Sequence, residues 1–169
     1  MMLRRLYSFF LISSLLMPLS LPGQATPPIS ALSSANSEPR IIIRTHDRML
    51  YFYDPKTGIQ KFSIAVGREG RKWSGETSVS RKVLLPKWVP PPAVRKDNPG
   101  LPAIVGPGPD NPLGAAVLVL GDGTYGIHGN NNPAMIGTDA SYGCFRMYNA
   151  DILFLFKEVG IGTKVTVVP

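Results

Sequence analysis

The sequence predicts a mainly β domain with one helix near its C-terminal end. Three observations carry this. Short β-branched and aromatic runs recur from residue 40 to residue 128, separated by Gly, Pro, Asn and Asp turns. Apolar residues at helical spacing occur convincingly only over residues 149–159. Among the strands lies a Pro- and Gly-dense stretch, residues 86–112, that suits neither element.

The elements follow in order. Ile41–Ile43 is a β-branched run, residues 45–48 turn, and Met49–Tyr53 resumes. Asp54-Pro55-Lys56-Thr57-Gly58 has strong turn chemistry, because Pro presets one dihedral and Gly permits another. Gln60–Val66 then alternates, with Phe62, Ile64 and Val66 on one face, which completes a β-meander. Ser78–Leu85 is a weaker strand. Residues 86–112 read as a long irregular excursion, in which Trp88 either walls a groove or pins the loop to the core. Val117–Leu120 and Tyr125–His128 are strands joined at Gly121-Asp122-Gly123. Asn149 is expected to cap the helix, with Asp151 in its first turn, Lys157 in its last and Gly160 beyond its end. Its apolar face comprises Ile152, Leu153, Leu155, Phe156 and Val159. Lys164–Val168 closes the domain as a strand.

The N-terminus is expected to lie outside this fold. Arg4 and Arg5 precede an apolar stretch, Leu6–Leu21, and Gly23-Gln24-Ala25 supplies small residues for cleavage after Ala25. Residues 1–25 therefore read as a secretory signal peptide. Pro18 and the shortness of the apolar run argue against a membrane span, so none is expected after cleavage. Residues 26–39, rich in Pro, Ser and Ala, read as a flexible linker. Residues 40–169 are left as one domain with its own core. The formal charge of +7 suits polyanionic surroundings or a solvated basic face, and no nucleic-acid motif accompanies it.

The chain holds one cysteine, Cys144, and two histidines, His46 and His128. In an exported protein a lone cysteine cannot form an internal disulfide and is either buried or kept for its reactivity. A free thiol, with a pKa of about 8.5, needs a base to become a nucleophile near neutral pH. His128, at the end of its strand, and Cys144, between a loop and the helix, can supply that pair. Gly129 and Gly143 flank them, and Gly143 is expected to leave room for an acyl carbonyl. Amides around residues 143–145 are expected to bind a developing oxyanion. One Cys and two His at scattered spacing do not make a metal site, and no cofactor is called for.

The motif I-H-G-N-N-N-P, followed by S-Y-G-C-F-R-M and a closing G-T-K-V-T-V, resembles the L,D-transpeptidase catalytic domain, the YkuD-like family. The meander, P-K-W-V-P-P-P and P-G-P-D-N-P-L-G support the likeness, which runs from about Arg40 to Val168. The resemblance implies a β-sandwich or barrel-like sheet with a helix after a catalytic cysteine. It implies Cys144 as nucleophile and His128 as general base, acting on peptidoglycan stem peptides in the periplasm or cell wall. Ser141, Tyr142 and Gly143 would support the nucleophile, and Arg146, Gly129, Asn130 and Trp88 would contact substrate. The terminal D-alanine of a donor tetrapeptide would leave, and an acceptor amine would resolve the thioester. Carbapenems would acylate Cys144 by the same route. The family usually has histidine where this chain has Tyr142, read here as a tolerated change whose hydroxyl can still donate a hydrogen bond. Two alternatives stand beside this reading: water as acceptor, giving an L,D-carboxypeptidase, and a non-catalytic peptidoglycan-binding module. A papain-like protease fits poorly, since Cys precedes His in that family. No oligomeric state follows from the residues.

Overall fold

A computed structural model describes residues 38–169; the expected signal peptide and nearly all of the expected linker lie outside them. Among the described residues ten strands dominate, with two helices and one 3-10 turn. β1 (Arg40–Arg44), β2 (Met49–Asp54) and β3 (Gly58–Ser63) form the expected meander. Its second turn closes as the residues dictate: Lys56 N–H donates to Asp54 Oδ1 at 2.7 Å, and Gly58 takes φ 85°.

The strand expected over residues 60–66 breaks after Ser63, because the chain changes partners. Met49 pairs with Ser63 at the end of β2, and beyond it Ala65 exchanges two 2.9 Å backbone bonds with Arg146. β4 (Val66–Gly67) then pairs with β8 (Asp139–Ser141). β5 (Gly75–Leu84) starts three residues earlier than the sequence suggested, and β6 (Ala116–Leu120) and β7 (Tyr125–His128) follow. A two-residue strand, β9 (Phe145–Arg146), runs parallel to β7. β10 (Lys164–Val168) enters the middle of the sheet, parallel to β1 and antiparallel to β5. The resulting order is β3-β2-β1-β10-β5-β6-β7-β9. The Ala65–Arg146 bonds join its two ends, so the sheet curls almost into a barrel.

The core lies inside the curl and under the second helix. Ile41, Ile43, Leu50, Phe52, Val165 and Val167 alternate inward from β1, β2 and β10. Leu118, Ile127 and Phe145 continue the layer from β6, β7 and β9. Burying each such side chain contributes about 1.5–3 kcal/mol.

The helix after Cys144, α2 (Asn149–Glu158), is present, but its ends differ from expectation. Tyr148 occupies the N-cap position without a side-chain bond, because the Asn149 side chain is engaged elsewhere. At the other end Lys82 Nζ, not a left-handed glycine, satisfies the Val159 carbonyl at 2.6 Å. Ile152, Leu155 and Val159 are buried, whereas Leu153 faces solvent and Phe154 packs on Phe62. No helix among the described residues is long and apolar enough to cross a membrane.

The excursion over residues 86–112 is more ordered than its composition suggests. α1 (Pro92–Asp97) begins on a proline, whose missing N–H is an orphan in a first turn anyway. Trp88 and Val105 exchange backbone bonds at 2.9 and 2.8 Å. Asn111 is fully buried at the base, donating to the carbonyls of Pro86 at 2.6 Å and Gly106 at 3.0 Å.

Candidate active site

The sheet register decides which side chains meet. Ile127 lies opposite Phe145, and both point into the core. Their neighbours must point the other way. Gly126 and His128 on β7 and Cys144 and Arg146 around β9 therefore share one face, and all four line a cavity of about 610 Å³. Val117 and Val119 of β6 form its floor, and Trp88, Val94 and Leu101 of the excursion form part of its walls. This size and mixed lining suit a small molecule or a short peptide.

His128 is 4% exposed, with Nδ1 2.7 Å from the carbonyl oxygen of Gly129. A carbonyl only accepts, so Nδ1 carries the proton and Nε2 is left as the base. Burial pushes the imidazole pKa down to about 4; the Gly129 carbonyl opposes this and the Arg146 guanidinium adds to it. Burial pushes the Cys144 thiol up, against the lowering influence of a Gly126 backbone hydrogen bond and of Arg146. Near neutral pH these directions favour an uncharged thiol and an uncharged imidazole in the resting pair.

The segment carrying Cys144 is held from several sides. Ser141 Oγ, 1% exposed, accepts from Gly143 N–H at 3.0 Å and donates to the Cys144 carbonyl at 2.5 Å. Gly143 takes φ 118°, and a Cβ there would meet the Tyr125 ring at 2.6 Å. Close packing, rather than room for an acyl group, is what this glycine provides. Its amide is already bound by Ser141, so it is not a free oxyanion donor. Trp73 Nε1 donates to the Gly143 carbonyl at 3.0 Å and stacks on Tyr125, with ring centroids 4.8 Å apart.

Tyr142 lines the same cavity as the thiol and the imidazole. Its hydroxyl donates to Asp97 Oδ2 of α1 at 2.7 Å, and the Arg68 guanidinium lies 4.1 Å from its ring centre. Arg68 also bonds Asp97 at 2.7 Å and holds that carboxyl below the usual range, with the Tyr142 hydrogen bond second. The excursion is thereby tied to the segment carrying Cys144.

Gly129 and Asn130 stand behind the wall rather than in the cavity. Asn130 is 3% exposed; its amide group closes a turn with the Asn132 backbone, and Asn131 reaches the cavity instead. Asn149 clamps this loop, accepting from Ala115 N–H at 3.0 Å and Asn130 N–H at 3.1 Å and donating to the Asn130 carbonyl at 3.0 Å. Gly114 and Gly129 admit the clamp, since a Cβ on either would collide with Asn149 Oδ1. Arg146 donates to Met135 Sδ at 2.9 Å, while its buried Nε has no partner among the described residues. That nitrogen is closed to solvent, so it faces protein and not the cavity. No local pattern signals Trp73, Asp97, Asn111 or Tyr125, whose roles arise from contacts across long sequence separations. Asn149 was visible only as a cap.

Fold and cavity together define a mainly β domain with a cysteine–histidine site. Residues 38–167 match the model of the L,D-transpeptidase catalytic domain, YkuD, and the chain belongs to that family. It is 37% identical over 135 residues to the ErfK/SrfK protein of Escherichia coli, across 76% of this chain and 43% of that protein. It is 49% identical over 130 residues to the YkuD protein of Bacillus licheniformis, across 77% of this chain and 66% of that one. The chain thus spans less than half the length of the first of these relatives. Its fold is that of the Enterococcus faecium L,D-transpeptidase catalytic domain acylated by ertapenem, with a TM-score of 0.58 at 18% identity over 78% of this chain and 98% of that one.

Proposed function

We propose that this protein is a peptidoglycan L,D-transpeptidase acting outside the cytoplasm. The observation that carries the reading is the shared cavity face of Cys144 and His128, with Nδ1 tied to Gly129 and Nε2 left free to take a proton. In the first step Nε2 removes the thiol proton as sulfur bonds to the carbonyl of the L-to-D bond at the third residue of a donor tetrapeptide. The tetrahedral adduct collapses by breaking the C–N bond, and His128 returns the proton to the departing D-alanine amine. In the second step an acceptor amine attacks the thioester, His128 takes the amine's proton, and the thiol is released protonated. Dividing acyl transfer in this way replaces one high barrier with two lower ones. Arg146, a cation lining the cavity, would hold the acyl segment. Ser141 holds the turn that presents the sulfur.

The test is mass spectrometry of products from purified muropeptides. The wild-type protein should form a Cys144 thioester and then a crosslinked dimer, and Cys144→Ala should form neither. His128→Gln should lower acylation by at least about a hundredfold, as expected for loss of a general base. Turnover retained in Cys144→Ala sinks the assignment, and hydrolysed tripeptide without dimer would identify water as the acceptor. The Enterococcus faecium domain is acylated by ertapenem; the same drug should add its mass to Cys144 here. The reading of residues 1–25 as an export signal supports a periplasmic or wall location.

A further inference from the structure

The cavity shared by Cys144 and His128 has cationic walls. Arg81 and Lys87 line it in addition to Arg146, and no aspartate or glutamate does. Both side chains are exposed, and neither pairs with a carboxylate among the described residues. Cations set at a concave mouth without counter-charges favour an anionic ligand there.

Arg81 faces this cavity because of a local irregularity in β5. Val79 lies opposite Leu120, and both are buried in the core. In a regular strand Arg81, two residues on, would face the core as well. A bulge between Val79 and Arg81 instead sets Arg81 opposite Val119, which lines the cavity. Re-aiming a side chain in this way is a known use of bulges. Val119 in turn lies opposite Gly126, the neighbour of Cys144 in the β7–β9 register. One cross-strand row therefore runs from the nucleophile over Gly126 and Val119 to Arg81. At about 4.8 Å per strand the row spans roughly 14 Å along the sheet. An extended peptide advances about 3.3 Å per residue, so the two residues upstream of an attacked carbonyl cover a little under half of it. The long Arg81 side chain can bridge the remainder.

We propose that Arg81 and Lys87 form a carboxylate-recognition site that selects donor stem peptides carrying a free carboxylate upstream of the attacked bond over the same stems carrying a carboxamide. The proposal rests on the transpeptidase reading above and adds its substrate class. The carboxamide keeps the shape of the group but loses its charge, so it forgoes the charge-assisted bonds.

The experiment uses two synthetic donor tetrapeptides that differ only in a carboxylate or a carboxamide on the second residue. Cys144 acylation is followed by intact mass in the wild type and in Arg81→Gln, Lys87→Gln and the double variant. The wild type should favour the carboxylate donor by about fivefold to tenfold in kcat/KM, the range open to two exposed ion pairs. Added salt should narrow that ratio. Each single variant should reduce the ratio, and the double variant should bring it near one, each preparation serving as its own folding control. Equal use of both donors by the wild type, or an undiminished preference in the double variant, overturns the proposal. Acylation by neither donor would instead sink the transpeptidase reading itself.

Discussion

His128 is a base kept neutral by what surrounds it, and that has a consequence for stability. Its pKa is about 4 in the fold against an ordinary 6.5. As pH falls from 6.5 the unfolded chain takes up this proton while the folded one does not, so stability declines down to about pH 4. At about 1.4 kcal/mol per unit, the decline from this residue is roughly 3 kcal/mol. Thermal melts across that window should show a steeper loss for the wild type than for His128→Gln; parallel curves would mean that the imidazole is not buried neutral. At this scale the sequence was informative about identity and less so about surroundings. Cys144, His128 and Ser141, each named by the motif, line one cavity. The sequence could not reveal that Ser141 already binds the Gly143 amide, nor that Asn130 turns inward on Asn132. Both depend on rotamers set by packing, not on residue type.

Among the elements, α2 carries a clamp at its first residue. Asn149→Ala would leave the Ala115 and Asn130 amides without their acceptor and free the loop whose Gly129 carbonyl orients His128. A loss of about 1–3 kcal/mol is expected, together with a fall in kcat. Asn149→Asp, which keeps the acceptor, should recover part of the stability; a melt as low as that of the alanine variant would refute the clamp. α1 is tied down differently, through the exposed contacts of Asp97 with Arg68 and Tyr142. Asp97→Ala should speed amide exchange over residues 92–98 and leave the core strands protected. Unchanged exchange there would show that the Trp88–Val105 and Asn111 bonds hold the helix unaided. Long periodic elements such as the meander and α2 were legible because many residues repeat one pattern. β9, two residues long, and α1, hidden behind three prolines, offer too few repeats for a period to emerge.

At the scale of the whole molecule, the sheet depends on a strand that arrives late in the chain. β10 sits between β1 and β5 and donates Val165 and Val167 to the core. A chain ending at residue 163 would leave the meander and the β5–β9 half joined only through the Ala65–Arg146 bonds and the β4–β8 pair, and should show by circular dichroism no cooperative unfolding transition. A sharp melt would mean that the two halves associate without it. Neither this order nor the closure through Ala65 and Arg146 can be read from local pattern, since both are pairings between distant segments.

That placement of β10 also sets a schedule. During synthesis the two halves of the sheet wait, each with an open edge, until residues 164–168 emerge. Contacts between such distant segments close slowly. A sheet completed by its last strand keeps its edges open, and accessible to other chains, longest.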